Sequence, residues 1–196
     1  MKAHILGRIA AMPAGKVFFA TDMAELMEES VYDVSHILSA LAREGRVLHL
    51  TKGIYAKYQK NAHGDLVPLD RDRIIAAIVR HYRQEAVPKG LSAAWQLGLL
   101  AERPALECYA IRQGEHRFRF ADWQLELQSG RQAPFLYRTE LASLLVTALP
   151  AIGEPNLTAE QAAVLKRQIV ECSDREAFRD DVLRMPLWIK KYLRRL

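Results

Sequence analysis

Cysteine is scarce in this sequence. Of its 196 residues only two are cysteines, Cys108 and Cys172, and they are far apart with no CxxC spacing. This argues against a disulfide-stapled scaffold and against a zinc ribbon, because both need several cysteines at short spacings. We expect each cysteine to be a small buried apolar residue.

Long apolar runs are missing as well. No segment reaches the roughly 18 consecutive apolar residues of a membrane-spanning helix. The N-terminus, "MKAHILGRIAAM", is too short and too polar for a secretory signal. Since half of the residues are apolar, a hydrophobic core can still form. We therefore expect a globular cytoplasmic protein that has no membrane partner.

The short motifs of several enzyme classes are also absent. The sequence has no GxGxxG, GxxxxGK[ST], HExxH or GxSxG motif, and its six histidines are scattered without a ligand-like pair. We accordingly predict that the protein is not an enzyme and needs neither a cofactor nor a metal ion. An active site built from distant residues, acting on nucleic acid, stays open as an alternative.

Charge is present, and it is unevenly distributed. The formal net charge is +5 and the isoelectric point is near 9.3. Between Thr21 and Asp33 there are five acidic residues and no lysine or arginine, whereas Arg43–Lys60 holds five basic residues and one acidic residue. A local basic excess of this kind is typical of a surface that meets a polyanion.

The first third of the chain has the element order of a winged helix-turn-helix. A helix over residues 2–12 precedes a short helix that we expect to begin near Thr21, with Asp22 and Glu25 as a capping box. The next helix is predicted from an apolar stripe and ends near Gly45. Two strands then flank a glycine-containing turn, over 47–50 and 54–56. The stripe of that helix consists of Val34, Ile37, Leu38 and Leu41.

The exposed side of the striped helix would be the reading element of such a domain. In a helix-turn-helix, the second helix lies in the major groove with its early residues at base edges. Later basic residues and the hairpin tip then contact phosphate, supported by Lys57. A protein-docking role for the same fold remains an alternative. The predicted DNA-binding residues are Tyr32, Ser35, His36, Ser39, Arg43, Arg46, Thr51 and Lys52.

A polar segment that contains Gly64 and Pro68 separates two predicted domains, residues 1–68 and 69–196. In the second, "LECYAIRQGEHRFRFADW" predicts a hairpin, and a further strand is indicated near Leu125. The C-terminal third is predicted to be helical, with capping boxes at Thr158/Gln161 and Ser173/Glu176. The fold class is therefore α+β, mostly helical, with a small antiparallel sheet in the C-terminal domain.

Three basic residues of the second domain mark a candidate interaction surface: Lys89, Arg117 and Arg119. Lys89 precedes a predicted helix start, which suits either an anion site or a simple helix-capping turn. Arg117 and Arg119 alternate with Phe118 and Phe120, so one face of the predicted strand is basic. This face suits RNA, an acidic partner or plain solvent, and the residues do not decide among them.

Five segments together resemble one known family. They are "VFFATDMAEL", "ILSALAREGRVLHLTKGIYAKY", "VPKGLSAAWQLGL", "FLYRTELASLLVTAL" and "MPLWIKKYLRRL". The second and third are the most specific, through Gly53-Ile54-Tyr55 and through Pro88, Gly90 and Leu97-Gly98-Leu99. In this combination and order, the chain resembles the AbiEi-type antitoxins of bacterial type IV toxin–antitoxin systems.

The resemblance implies a function for each domain. The N-terminal winged helix would bind inverted repeats in the promoter of its own operon and repress it. By position, the DNA contacts would lie on the helix from Tyr32 to Arg43 and on the Thr51-Lys52 tip. The C-terminal domain would counteract a nucleotidyltransferase-like toxin, without a need for a stable complex. Members of that family are not enzymes.

Overall fold

The computed structural model describes residues 1–130, 133–153 and 157–196. Within these ranges the chain is an α+β protein, about half helical, with nine α-helices and three small sheets. It divides into two compact units, Met1–Arg83 and Gln84–Leu196. None of the helices in the described ranges is long and apolar enough to cross a membrane. The predicted α+β class is confirmed.

The first unit contains four helices and five short strands. The helices are α1 (Lys2–Ala11), α2 (Ala20–Met27), α3 (Val31–Arg43) and α4 (Arg71–His81). The strands are β1 (Val17–Phe19), β2 (Leu48–Thr51), β3 (Ile54–Ala56), β4 (Gln59–Lys60) and β5 (Leu66–Val67). The predicted order of two helices, a striped helix and a hairpin is present, and the short strand β1 lies between α1 and α2.

Helix α3 follows its sequence signals closely. The Ser30 side chain caps its start by accepting a hydrogen bond from the backbone N–H of Tyr32 at 3.2 Å. Val34, Leu38 and Leu41 of the predicted stripe are fully buried. Gly45 follows the helix in a left-handed conformation, with φ of 69°, as the sequence predicts.

Helix α2 begins differently from the prediction. It starts at Ala20, directly after β1, with Phe19 at the N-cap position and no capping side chain. Asp22 therefore lies inside the first turn, and the predicted capping box with Glu25 is wrong. The Asp22 carboxylate instead contacts His81 of α4, with 2.9 Å between Oδ1 and the ring Nδ1.

A three-stranded antiparallel sheet has the order β1-β3-β2, and side chains pack on both of its faces. On one face, Phe18 and Tyr55 are opposite each other and pack with the buried residues of α1, α2 and α3. On the other, Phe19 stacks on His81 at a ring distance of 3.8 Å. Because α4 packs on this sheet, it belongs to the first unit, and the division falls after Arg83 rather than after residue 68.

The second unit contains four strands, five α-helices and one short 3-10 helix in its described part. The strands are β6 (Ala86–Pro88), β7 (Leu106–Ile111), β8 (Glu115–Arg119) and β9 (Gln124–Ser129). The helices are α5 (Leu91–Gln96), the 3-10 turn Ala133–Leu136, α6 (Glu140–Ile152), α7 (Ala159–Val170), α8 (Arg175–Arg184) and α9 (Leu187–Leu193). The predicted helical C-terminal third is confirmed.

The sheet of the second unit has the order β6-β7-β9-β8 and is mixed. The predicted hairpin between β7 and β8 is wrong, because β9 lies between them, parallel to β7 and antiparallel to β8. The hairpin that does form joins β8 to β9 through a turn in which Phe120 N–H donates to the carbonyl of Trp123. Two of the three strand pairs are antiparallel, as the predicted sheet requires, and the third is parallel.

One of the two predicted capping boxes in this unit is confirmed. Thr158 and Gln161 make both reciprocal hydrogen bonds at the start of α7. The box at Ser173 and Glu176 is wrong by one residue, because Asp174 caps α8 by accepting from the N–H of Ala177 at 2.9 Å. Asp is as effective an N-cap as Ser, and Asp174 directly follows Ser173 in the chain.

Candidate nucleic-acid interface

Five of the predicted contact residues lie along one side of α3. Tyr32 begins the row and is 78% exposed. Ser35 follows it and is half-buried, whereas His36, Ser39 and Arg43 are exposed. At about 100° per residue, this side is opposite to the buried stripe of α3. The structure therefore brings these five side chains together on one solvent-facing surface.

The β2–β3 hairpin presents the other predicted residues. The strand register shifts between His49 and Thr51, so β2 carries a bulge just before the turn. Gly53 has φ of 74°, and no atom lies within 4 Å of the place that a Cβ would occupy there, so the turn projects into open space. Thr51 is half-buried and Lys52 is exposed. The bulge and the glycine together aim the basic tip away from the core.

A side-chain hydrogen bond connects the two surfaces. The hydroxyls of Ser39 on α3 and Tyr55 on β3 are 3.1 Å apart, and Tyr55 is otherwise buried. His49 is opposite Tyr55 in the sheet register, with 5.1 Å between the rings, and it is exposed. Neither His49 nor Tyr55 was among the residues predicted for this surface. Their alternation across a short turn, with period two in each strand, was the available signal.

Not every cation near the hairpin belongs to this surface. Lys57, expected to support the hairpin tip, instead donates to the backbone carbonyls of Ala10 and Met12 at 2.6 and 2.7 Å. It therefore caps the C-terminal end of α1, where a cation is favourable. Arg43 and Arg46 are exposed, as is Lys52. These three define the basic part of the surface.

An acidic and apolar surface lies next to the start of α3. The acidic residues of α2 and the following turn are exposed: Asp22, Glu25, Glu28 and Glu29. Among them, Leu26 is 57% exposed, and Val31 at the start of α3 is 47% exposed. Tyr32 adjoins this surface as well as the polar row of α3. The first unit thus has two chemically different surfaces that meet at Tyr32.

In the second unit, hydrogen bonds connect two of the three predicted interaction residues. Lys89 Nζ donates to Gln128 at 2.9 Å, and the Gln128 amide donates to Glu126 at 2.6 Å. Glu126 in turn pairs with Arg117 at 3.5 Å. Arg119 is opposite Gln124 in the same pair of strands. The three cations therefore share one face of the sheet, where Glu126 offsets part of their charge.

The alternative of an anion site at Lys89 gains no support from the geometry. Helix α5 has six residues, begins after Gly90, and has no capping side chain. The Lys89 ammonium group is directed to Gln128 on the sheet rather than to the helix start. These contacts fit a turn that leads into a short helix.

Two buried carboxylates of the second unit have structural partners. Asp181 on α8 accepts from the N–H groups of Arg138 and Thr139 and from the Thr139 hydroxyl, at 2.7–3.1 Å. Burial alone would raise the pKa of Asp181, but these hydrogen bonds, with the charge of Arg184, hold it below its ordinary value. Glu107 pairs with Arg103, whose guanidinium lies 4.5 Å from the centre of the Trp95 ring.

Both cysteines are free thiols and half-buried rather than fully buried. Burial and the neighbouring Glu126 raise the pKa of the Cys108 thiol, which lowers its reactivity. Within the described ranges, no group of three His, Cys, Asp or Glu side chains is placed to hold a metal ion.

Comparison with known proteins identifies a family. A model for a family of unknown function, DUF6088, matches residues 4–176, so the chain belongs to that family. No curated protein matches the sequence. A crystal structure of the RV2827C protein from Mycobacterium tuberculosis matches with 19% sequence identity and a TM-score of 0.47, over 97% of this chain and 73% of the other.

Proposed function

We propose that this member of the DUF6088 family binds double-stranded DNA through a winged helix-turn-helix and serves as the antitoxin and autorepressor of a type IV toxin–antitoxin system. One observation carries the DNA-binding part. The exposed polar side of α3 continues, through the hydrogen bond between Ser39 and Tyr55, onto a bulged hairpin with a basic tip. This surface combines a groove-reading helix with a backbone-contacting hairpin.

Helix α3 takes the place of the recognition helix. Helices α2 and α3 are joined by the short turn 28–30, in which Glu28 adopts a left-handed conformation with φ of 56°. An α-helix such as α3 fits the major groove of B-form DNA. Ser35 and His36, in the first half of α3, then face base edges with groups that donate and accept hydrogen bonds. Arg43, two turns beyond Ser35, reaches a phosphate.

The hairpin takes the place of the wing. Lys52 at its tip and Arg46 at its base supply positive charge to the phosphates beside the groove that α3 occupies. His49, on the face next to Ser39 and Tyr55, adds a polar group between the helix and the tip. Phosphate contacts set affinity and register, so sequence preference comes from α3 rather than from the hairpin.

The antitoxin part of the proposal has a different basis, the resemblance of five sequence segments to the AbiEi-type antitoxins. On that basis the second unit counteracts a nucleotidyltransferase-like toxin encoded beside it. Co-expression provides the test: cells that express the adjacent gene should stop growing, and this chain should restore growth. Growth arrest that the chain does not relieve would remove the antitoxin role and leave the DNA-binding role standing.

DNA binding is tested by fluorescence anisotropy with the labelled promoter of its own operon at about 50 and about 200 mM salt. We expect the affinity to fall steeply with salt, because each phosphate contact contributes about −0.9 to the slope of log K against log salt. The double variant Arg43→Ala/Lys52→Ala should bind at least about tenfold more weakly. The slope of log K against log salt should become less negative by about 2. Wild-type protein that binds no promoter fragment contradicts the proposal.

A second function, protein docking by the first unit, is favoured by one specific observation. The side chains of Leu26, Val31 and Tyr32 are exposed next to the acidic residues of α2. A duplex repels such a surface, whereas a basic protein partner would match it. Leu26→Ser separates the two functions: it leaves promoter affinity unchanged if α3 binds DNA, and it weakens partner binding if the acidic surface docks a protein.

A further inference from the structure

An apolar groove runs between α7 and α8 in the second unit. Its volume is about 530 Å³. The side chains of Ile169, Phe178 and Val182 form its floor, and Val170 and Leu183 stand on its rim. We call it the α7–α8 groove. Neither the DNA-binding surface nor the sheet face with Lys89 shares any residue with it.

The rim of the groove is unusually apolar for a protein surface. Leu183 is 70% exposed and Val170 is 56% exposed, and the two stand on either side of the same opening. Single exposed aliphatic residues are common, but here two of them line the same formed apolar groove. Phe178, at the floor, is only 7% exposed and packs into the hydrophobic core of the second unit.

The two charged side chains that line the groove are both positive. Arg175 and Arg179 line it directly, and they alternate with Phe178, Val182 and Leu183 on one stripe of α8. On α7, Lys166 is exposed and precedes Ile169 and Val170 by three and four residues, so it lies on the same side of the helix. Arg175 is held in place, because its guanidinium donates to the carbonyl of Val170 at 2.6 Å.

The acidic residues of these helices lie elsewhere. At about 100° per residue, Asp180 and Glu176 on α8 are roughly 90–130° away from the centre of the groove stripe. Glu171, the residue that follows α7, is displaced to a similar extent from the stripe of Lys166 and Val170. The groove therefore combines an apolar floor with a one-sided positive rim, which matches an apolar ligand that carries negative charge along its flanks.

We propose that the α7–α8 groove binds an amphipathic helix of a partner protein, with an aliphatic stripe on the floor and glutamate or aspartate residues on its flanks. A groove between two helices accepts a third helix, whose side chains at i, i+3, i+4 and i+7 enter it. The carboxylates pair with Arg179 and Lys166 at the rim. A nucleic-acid backbone is a poor match, because Leu183 and Val170 would face it without apolar contacts.

A phage-displayed library tests the proposal with the full-length protein as target. Each member is a helix of about 16 residues with leucine fixed at i, i+3, i+4 and i+7, and its flanking positions vary among Glu, Lys and Ser. At the flanking positions of the selected helices, we expect Glu to be at least about ten times as frequent as Lys, as charge complementarity requires. Enrichment of Lys, or equal use of both residues, overturns the proposal.

Three variants locate the binding. Leu183→Glu should lower the affinity for the best selected helix at least about tenfold, because it places a charge on the apolar rim. Arg179→Glu should shift the preference of the library from Glu to Lys. Leu187→Glu, at a residue that is 64% exposed on α9 and outside the groove, is the matched control and should leave binding unchanged. Equal loss in Leu187→Glu and Leu183→Glu overturns the assignment to the groove.

Two other occupants give distinct results. If a second copy of the chain fills the groove, the wild type sediments as a dimer that Leu183→Glu dissociates, and the acidic-helix proposal is wrong. If the rim serves nucleic acid, Leu183→Glu and Arg179→Glu lower promoter affinity to the same extent as Arg43→Ala, which also overturns it. The proposal requires that both variants keep the promoter affinity and the sedimentation mass of the wild type.

Discussion

The hydroxyl of Tyr55 is 3.1 Å from the hydroxyl of Ser39, so a buried residue of β3 is bonded to the exposed side of α3. The ring of Tyr55 also stacks near Phe18 on the packed face of the sheet. The contact therefore helps to fix the orientation of the hairpin relative to α3. A rigid relation between these two elements is what a surface that reads one groove and its neighbouring backbone needs.

We expect Tyr55→Phe to lower the free energy of unfolding by about 1 kcal/mol, because it removes one hydrogen bond and keeps the buried ring. Ser39→Ala should cost less, since Ser39 is exposed. In a double-mutant cycle followed by urea denaturation, the coupling between the two should be about 0.5–1 kcal/mol. Ser35→Ala combined with Tyr55→Phe is the control pair. Purely additive effects of Ser39→Ala and Tyr55→Phe would contradict a direct bond.

Specificity and affinity should separate between α3 and the hairpin. His36→Ala should reduce the free-energy preference for operator over random DNA by about 1–3 kcal/mol, since a base-edge contact is lost. Lys52→Ala should weaken operator and random DNA equally and leave this preference unchanged. Competition binding with both duplexes measures the preference. Arg80→Ala, an equal charge change on α4, should alter neither affinity by more than a small factor; a large effect there would indicate nonspecific attraction.

Lys57 should contribute to the stability of the fold and not to the affinity for DNA. Lys57→Met keeps the apolar part of the side chain and removes the ammonium group that caps α1. We expect a loss of about 1–2 kcal/mol in the free energy of unfolding, with promoter affinity unchanged. Lys60→Met, at an exposed neighbour, provides the control and should leave stability within about 0.5 kcal/mol. If Lys57→Met weakens promoter binding instead, Lys57 belongs to the interface.

The buried carboxylate of Asp181 should make the second unit sensitive to acid. Its pKa is lower in the folded chain than its ordinary value of 3.8. As the pH falls, the unfolded chain therefore binds this proton first. The stability that Asp181 contributes is complete above about pH 4 and is lost as the pH falls through the lowered folded value.

The variant Asp181→Asn places an amide N–H₂ where the carboxylate accepted hydrogen bonds from Arg138 and Thr139. We expect it to lower the free energy of unfolding by about 2–4 kcal/mol at about pH 7 and to flatten the acid dependence. Urea denaturation at about pH 7 and at about pH 3.5 measures both effects. Asp180→Asn, an exposed neighbour, should change stability by less than about 1 kcal/mol. An unchanged acid dependence in Asp181→Asn would mean that another group causes it.

Local signals predicted much of the first unit. The stripe of α3 and the stop at Gly45 are encoded within a few residues, and so is the hairpin around Gly53. The same local periodicity placed the exposed row from Tyr32 to Arg43. Its use as a DNA surface stays a prediction. Two further members, His49 and Tyr55, were not predicted, because strand alternation assigns them to one face only once the pairing across the hairpin is known.

Other features depended on contacts between distant residues. Asp22 has the spacing of a helix cap, yet the strand before it runs directly into α2 and leaves its carboxylate to His81. Lys57 has the charge of a phosphate contact, yet the carbonyls of α1 are within its reach. The alternation in β8 indicates a strand but cannot name its neighbour, and β9 is the strand that pairs with it.

The sequence by itself determined where most helices and strands form, because capping residues, glycines and apolar periods act over one or two turns. Only the tertiary structure decided which strands are neighbours, to which unit α4 belongs, and which cations face solvent. Those outcomes depend on burying Phe19 against His81 or satisfying the last carbonyls of α1, and partners so far apart in the chain leave no local pattern.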